Sequence, residues 1–358
     1  MKALIYDPYL DTLGGGERYC LTVAECLLKN GWQVDLFWDQ KEDIQKATNR
    51  FGLEIKKLGL IGKKPEQLSF WSRAKLEKQY DLIFWLSDGS VPFLFAKKNF
   101  LHFQVPFTNI RTNNLFKKFL MKAKFKFIDQ VVCNSRFTKK FIDQEFGVNS
   151  VVLYPPVDVE KFQPGQKENI ILAVGRFEET MQAKRQDVLI RAFIEMINQG
   201  LKGWKLVLIG GSLQAPEKNQ YLKELKQMAE GYPIEFLVNT SFGTLKDYYQ
   251  RAKIFWHAAG FGVDEEKEPH RVEHFGITTV EAMAAGCVPV VIDKGGLREI
   301  VRREAGERWK SIKELIQKTE KFISNIDLWR LHSSLAVRQA KQFSKRNFCQ
   351  RLLTLNEQ

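Results

Sequence analysis

The chain has 358 residues, 44% of them hydrophobic and 12% aromatic, and its 55 Lys and Arg against 42 Asp and Glu leave a net charge of +13. That length is long for one core and predicts two domains of roughly 150–200 residues. No repetitive or Pro/Gly/Ser-rich tract interrupts it, which excludes a solenoid, and the longest apolar run, 82–96, is broken by Asp88, Gly89 and Pro92 and is too short and too polar for a membrane span.

The start, Met1 to Asp7, reads as a buried strand and not as a secretory leader. A Gly-rich turn, Asp11-Thr-Leu-Gly-Gly-Gly-Glu17, follows it. Cys20, Val23, Ala24, Leu27 and Leu28 then recur at helical spacing until Asn30-Gly31. Trp32 to Trp38 reads as a second strand, and 81–86, 99–104 and 130–134 as later ones with helices between. This alternation predicts a doubly wound parallel sheet. Glycines between a strand and a helix let the backbone approach a phosphate or a sugar. Neither the dinucleotide fingerprint nor the P-loop pattern is present, and a tight turn alone would use the same residues. The five cysteines (Cys20, Cys26, Cys133, Cys287, Cys349) are scattered, odd in number and mostly inside apolar patterns. That usage argues for a reducing cytoplasm and against disulfides or a zinc site.

Between Lys97 and Lys140 eleven Lys and Arg face one acid, Asp129, so this stretch carries +10. Its centre, residues 115–128, interleaves basic and apolar side chains, with Leu115, Phe119, Lys122 and Lys126 near one side of a helix. Such a segment suits an anionic membrane surface. A solvated basic helix whose phenylalanines enter the core fits the same pattern. No base-reading motif accompanies the charge, so no nucleic acid partner is expected.

Tyr154-Pro155-Pro156-Val157 interrupts the alternation and reads as a link. A second series follows, with strands at 170–174, 205–210, 234–237, 254–257 and 288–292. Helices fall at 186–197, 218–230, 245–251 and 280–285, and a last one runs from about Leu331 to Leu353. The expected domains are 1–155 and 156–330, with 331–358 packing back on the first. Ligands in such sheets bind outside the carboxyl ends of the strands.

The chemistry concentrates in the second series. In Glu273-His-Phe-Gly-Ile-Thr-Thr-Val-Glu281 two carboxylates are separated by a Gly turn and a helix start. The helix start offers free backbone N–H groups and the positive end of its dipole, which suit a phosphate. A ligand with hydroxyls at both ends and a diphosphate between them, such as a sugar nucleotide, fits. Upstream, Arg176 follows a buried strand and Lys184 opens the next helix with Arg185. Two cations there can neutralise a departing diphosphate without a metal, and Lys184 is preferred to Arg185 as the second.

Five stretches together resemble glycosyltransferase family 4, the retaining two-domain enzymes of the GT-B fold. They are Gly14 to Glu17, Asn134 to Thr138, Tyr154 to Asp158, Val174 to Arg176 with Lys184, and Glu273 to Gly286. Within that family the dolichol-linked-oligosaccharide α-mannosyltransferases and their bacterial relatives carry the most similar motifs. The resemblance implies two Rossmann-like domains facing a central cleft. It implies that Glu281 hydrogen-bonds the donor's ribose and Glu273 the donor sugar. Backbone amides around Phe275, Gly276, Ile277 and Thr278 would meet phosphate or sugar, and Arg176 and Lys184 would hold the diphosphate. Gly15 and Gly16 would approach the phosphates from the first domain, and His102 would lie near the reacting sugar.

The implied reaction moves a hexose, mannose favoured, from a GDP- or UDP-sugar to a glycan or lipid-linked acceptor. No cofactor is expected beyond the donor, and no metal, because no Asp-x-Asp-type site is visible. The implied setting is the cytoplasm, peripheral on the inner membrane face through residues 115–128. The alternative is a catalytically silent sugar-nucleotide- or nucleic-acid-binding protein on the same fold. Residues 260–272 form a polar, acidic insertion that fits a lid, an acceptor contact or a plain surface loop.

Overall fold

The computed structural model describes residues 1–357 except Leu13, 109–114, Thr180, Met181 and Leu213, and of residues 115–118 the backbone alone. The chain forms two compact units, Met1–Pro156 with Lys345–Gln358, and Val157–Ser344.

The first unit begins with β1 (Lys2–Tyr6), α1 (Gly15–Lys29), β2 (Gln33–Phe37), α2 (Lys41–Phe51), β3 (Gly59–Leu60), α3 (Phe70–Glu77) and β4 (Leu82–Leu86). It continues with β5 (Lys98–Phe103), α4 (Leu115–Phe125), β6 (Gln130–Cys133), α5 (Arg136–Phe146) and β7 (Val151–Val152). The strands pair in parallel in the order β3-β2-β1-β4-β5-β6-β7, so the winding reverses between β1 and β4. Every residue of β4 is buried, as a strand covered on both faces requires. Its side chains alternate between two cores. Leu82, Phe84 and Leu86 join Tyr19, Val23 and Leu27 of α1, while Ile83 and Trp85 join Tyr6, Leu101 and Phe103. Helix α5 starts where the Ser135 hydroxyl accepts from the Thr138 amide at 3.0 Å and stops at Gly147, which takes the left-handed conformation at φ 67°.

The second unit holds β8 (Glu168–Val174), α6 (Gln186–Asn198), β9 (Lys205–Gly210), α7 (Gln220–Met228), β10 (Ile234–Val238), α8 (Phe242–Arg251) and β11 (Ala252–His257). After these come α9 (Ile277–Ala284), β12 (Val288–Ile292), α10 (Leu297–Ile300), β13 (Glu307–Trp309), α11 (Ile312–Ser324) and α12 (Ile326–Ala340). The sheet is again parallel, in the order β10-β9-β8-β11-β12-β13, with its reversal between β8 and β11. Just before β8, the Lys167 ammonium donates to the carbonyls of Ala252 at 2.8 Å and Ala285 at 2.7 Å, tying β8 to its neighbours.

Two sequence expectations are corrected here. The long helix expected from Leu331 to Leu353 is two helices, α12 and α13 (Lys345–Glu357). The helix breaks because the Val157 amide donates to the Phe343 carbonyl at 3.0 Å and Val157 bridges Ser344, so this backbone is committed to a strand-like contact. Accordingly α12 stays with the second unit and α13 joins the first. The expectation of no disulfide also fails, because Cys26 of α1 and Cys349 of α13 are bonded with their Cα atoms 5.4 Å apart. Both cysteines lie on inward faces, and the pattern of neither helix shows that those faces oppose each other. Phe348, Leu352 and Leu355 of α13 bury themselves in the core that α1 covers, and Lys345 pairs with the buried Glu25. Cys20, Cys133 and Cys287 are free and buried.

Candidate functional site

In the second unit the loops leaving β8 and β11 meet at the carboxyl edge of the sheet, beside the reversal where ligands bind in doubly wound folds. Lys184, at the end of the first loop, places Nζ 2.6 Å from Glu273 Oε2. Its stem crosses Gly175, where a Cβ would come within 2.5 Å of Lys184 Cγ, so the absent side chain makes room for the cation. The Gln186 amide holds the loop from below, donating to the carbonyls of Gly175 at 3.3 Å and Arg176 at 3.0 Å. On the other side of the same carboxylate oxygen, His257 Nε2 lies 3.3 Å away. The Ala259 amide donates to His257 Nδ1 at 3.3 Å, which leaves the ring proton on Nε2, facing Glu273.

The electrostatics follow from this enclosure. Burial acts to raise the pKa of Glu273, but the Lys184 ammonium and the His257 hydrogen bond outweigh it and hold the carboxylate well below its usual range. Burial lowers the pKa of His257, the nearby carboxylate notwithstanding, so the imidazole is neutral. The outcome is an ionised carboxylate, a cation and a neutral donor at one point. Arg185, the cation passed over, is committed elsewhere. Its guanidinium grips Asp187 with two bonds of 2.9 and 3.0 Å and donates to the Phe261 carbonyl at 2.6 Å. Arg176 is exposed, with no side-chain partner among the described residues.

Helix α9 begins beside this group. Its N-cap, Gly276, has φ 108°, a conformation that costs other residues dearly, and a Cβ there would meet Leu297 Cδ2 at 2.9 Å. The backbone of Gly295 and Gly296 presses on the carbonyls of Glu273 and His274, and the Gly296 amide donates to Glu273 O at 2.8 Å. These glycines fix the turn that delivers Glu273. The amides of Ile277 and Thr278 open the helix without intrahelical acceptors, and both residues are half-buried. Phe275 is buried against Phe343, ring centroids 5.4 Å apart. Glu281, about 6 Å further along the axis from Ile277, is buried and accepts from the Tyr249 hydroxyl at 3.2 Å.

The 260–272 insertion is tied down. Glu265 accepts from the Gly295 amide at 2.9 Å and pairs with Arg298 at 2.6 Å, and Lys294 donates to the Val263 carbonyl. It thereby braces the Gly295 turn.

In the first unit Gly15 and Gly16 form the first turn of α1, capped by Gly14 without a side-chain bond. A Cβ on Gly16 would lie 3.4 Å from Gln104 Oε1 and 3.7 Å from Leu86 Cδ2, so this turn sits close against the carboxyl ends of β4 and β5. Beneath it are two buried acids, Asp7 and Glu17. Burial, then the Glu17 charge, pushes Asp7 up to about 7, and burial raises Glu17 as well. His102 lies inside β5 and is fully enclosed, not beyond a strand end. Its ring stacks on Tyr19 at 4.1 Å, Nδ1 meets the Val132 carbonyl at 3.1 Å, and burial pushes it down to about 3. In this position the residue supports α1 through Tyr19 and has no face open to a ligand.

The structure therefore brings Glu273 and Lys184 together at the head of α9 and leaves His102 in a core. Sequence reasoning missed His257 and Tyr249. The signal for His257 was its place as the last residue of a strand whose carboxyl end faces the site. In α4 the half-buried Met121 and Phe125 pack on the core, while Phe119 and Lys122, and Lys126 just past the helix end, are exposed. The side chains of Lys117 and Lys118 lie outside the described residues. No helix is long and apolar enough, among the described residues, to cross a membrane.

Residues 156–329 match the family described as glycosyl transferases group 1, and residues 13–161 match Glycosyltransferase Family 4. The chain is 27% identical over 241 residues to the human GDP-Man:Man(3)GlcNAc(2)-PP-Dol alpha-1,2-mannosyltransferase, covering 62% of this chain and 45% of that protein. It is 28% identical over 225 residues to the alpha-1,3/1,6-mannosyltransferase of Saccharomyces cerevisiae, covering 51% of this chain and 42% of that one. It thus spans less than half the length of either relative. Among solved structures, a glycosyltransferase from Rickettsia africae superposes with a TM-score of 0.79 at 18% identity, over 99% of this chain and 97% of that one. Anabaena HepE in complex with UDP superposes with a TM-score of 0.72 at 19% identity over 100% of both chains. Matched in order along both halves, and sharing its fold with these glycosyltransferases over nearly its whole length, the chain belongs to glycosyltransferase family 4 and has the GT-B fold.

Proposed function

We propose that this protein is a retaining glycosyltransferase that moves a hexose, with mannose favoured, from a nucleotide-diphosphate sugar to a glycan or lipid-linked acceptor, without a metal. The observation that carries the reading is the meeting of Lys184, His257 and Glu273 at the head of α9. As the glycosyl bond breaks, negative charge gathers on the diphosphate, and fixed positive groups aimed at it lower the barrier. Lys184, Arg176 and the amides of Ile277 and Thr278 are the groups available. Glu273, ionised and held by a neutral histidine, suits the hydroxyls of the donor sugar. Glu281, steadied by Tyr249, suits the ribose. With the leaving phosphate as the base for the incoming hydroxyl, attack from the same face retains configuration.

The human relative's name gives GDP-mannose as donor and a dolichol-linked glycan as acceptor, and the yeast relative's name gives mannose as the sugar moved. They favour GDP over UDP here and a lipid-linked acceptor over a free one. A cytoplasmic enzyme resting on the inner membrane face through residues 115–128 would meet such an acceptor.

The test is thermal stability of the chain against GDP-, UDP-, ADP- and dTDP-sugars, with Glu281→Ala alongside. A ligand at about 100 times its Kd adds roughly 2.7 kcal/mol. A shift confined to one nucleotide class, lost in the variant and followed by transfer to a lipid-linked glycan, is the expected result. A folded protein that responds to none of them sinks the proposal.

A further inference from the structure

Three exposed aromatic side chains of the first unit gather in one place that the site above does not use. Trp71 is 79% exposed, Phe70 45% and Phe127 42%. Phe70 touches Trp71, Phe93 and Phe95 with centroids 5.2, 6.1 and 5.4 Å apart, and Phe127 closes the group at 5.4 Å from Phe93 and 5.7 Å from Phe95. The cluster is built into the fold. Arg73 of α3 donates to the Phe93 carbonyl at 2.7 Å, and the Phe95 amide donates to Glu77 at 3.1 Å. The 93–95 segment is thereby clamped to α3. Lys124 reaches over the Phe93 ring at 5.8 Å, and Lys122 and Lys126 beside it are exposed.

Phe70, Trp71 and Phe127 are exposed and Phe93 and Phe95 half-buried, and a contiguous apolar patch of this kind marks an interaction surface. Its lysines argue against a protein partner, since protein interfaces are depleted in Lys. The rings argue against a nucleic acid. Most of their contacts are edge-to-face, with interplanar angles of 82° to 89° around Phe70, so they present few parallel faces for bases to stack on. Tryptophan and phenylalanine packed beside the lysines of the 97–140 stretch, which carries +10, are the chemistry of an anionic lipid interface.

We propose that the face made by Phe70, Trp71, Phe93, Phe95 and Phe127, flanked by the lysines of 122–126, docks the first unit on an anionic bilayer. The rings enter the boundary between headgroups and acyl chains, and the lysines meet the lipid phosphates. This rests on the membrane part of the reading above and extends it from residues 115–128 to α3 and the 93–95 segment.

Of the eight tryptophans, all among the described residues, Trp71 alone is exposed, so it reports on its own environment. The full chain is mixed with vesicles of phosphatidylcholine alone, or of equal parts phosphatidylcholine and phosphatidylglycerol. Lipids brominated in the acyl chain serve as quenchers. Expected are a blue shift and quenching with the anionic vesicles only. Trp71→Phe should abolish the spectral change. Trp71→Ala should lower the bound fraction several-fold, and so should Lys122→Glu with Lys126→Glu, all with unchanged melting. Equal binding to neutral vesicles, or anionic binding with no change at Trp71, overturns the proposal. So does concentration-dependent self-association, or binding to a single-stranded RNA homopolymer, that requires Trp71 while vesicles are ignored. Nucleotide-sugar stabilisation should persist in Trp71→Ala. Its absence in the wild-type chain would sink the transferase reading and leave the docking face standing.

Discussion

Lys184 and Glu273 neutralise each other at 2.6 Å, in a site where a donor would need both. The lysine suits a phosphate and the carboxylate suits sugar hydroxyls, so on the proposed reading a bound donor would exchange one ion pair for two separate sets of contacts. Until then the pair keeps a buried charge from standing alone, with His257 as the second support.

That arrangement predicts unequal effects from its two ends. Lys184→Met leaves an ionised, enclosed carboxylate and should cost roughly 3 kcal/mol of stability by urea titration. Glu273→Gln leaves a cation on a flexible stem that can reach water, and should cost less. The double variant should recover part of the loss from Lys184→Met. Transfer should fall in all three by about a hundredfold or more in kcat. Equal stability of Lys184→Met and the wild type would mean that the carboxylate is solvated by other groups.

Stability should also depend on pH in a way that separates the two units. Asp7 and Glu77, raised chiefly by burial to about 7, keep their protons in the folded chain at pH values where the unfolded chain has lost them. Their contribution is full below the unfolded carboxyl range near 4 and is lost as pH rises through about 7. Glu273 has the opposite sign. Its folded pKa is depressed, so its contribution is present above the unfolded value and is lost as pH falls towards the folded one. Asp7→Asn should therefore flatten the decline of unfolding free energy between the unfolded carboxyl range and neutral pH. It should leave the acid limb unchanged. A decline as steep as in the wild type would assign it to other groups.

Tyr249→Phe removes a buried hydroxyl that donates to Glu281. A hydrogen bond of this kind contributes about 0.5–1.5 kcal/mol. With Glu281 on the ribose, donor KM should rise roughly two- to tenfold, with kcat little changed. A fall in kcat at constant KM would place Glu281 nearer the reacting bond than the reading allows.

Much of this architecture was legible in the chain. Strand 82–86 reads as a buried run and is one, and the alternation of strands and helices fixes both parallel sheets. The carboxylate and cation that meet at the site were each readable from a strand end or a helix start. What the pattern hides is pairing over distance. Cys26 and Cys349 each look like ordinary inward-facing helix residues, and only packing shows them opposed. His102 carries the same local signal as a strand-end histidine, but Tyr19 and the β6 backbone enclose it. His257 shows the reverse error, since a histidine closing an apolar strand reads as core until the carboxylate from another loop arrives. The break before α13 was equally invisible, because it is set by a contact with Val157, not by any helix-breaking residue.

The return of α13 to the first unit bears on the order in which the protein can be made. On the ribosome, residues 1–156 emerge long before residues 345–357, with the whole second unit between them. The face of α1 that receives Phe348 and Leu352 must stay uncovered through that interval, and Cys26 must wait for its partner. The second unit, contiguous in sequence, can finish first. The nascent first half is therefore the part most exposed to chaperones, and to aggregation, until the last turns of helix arrive.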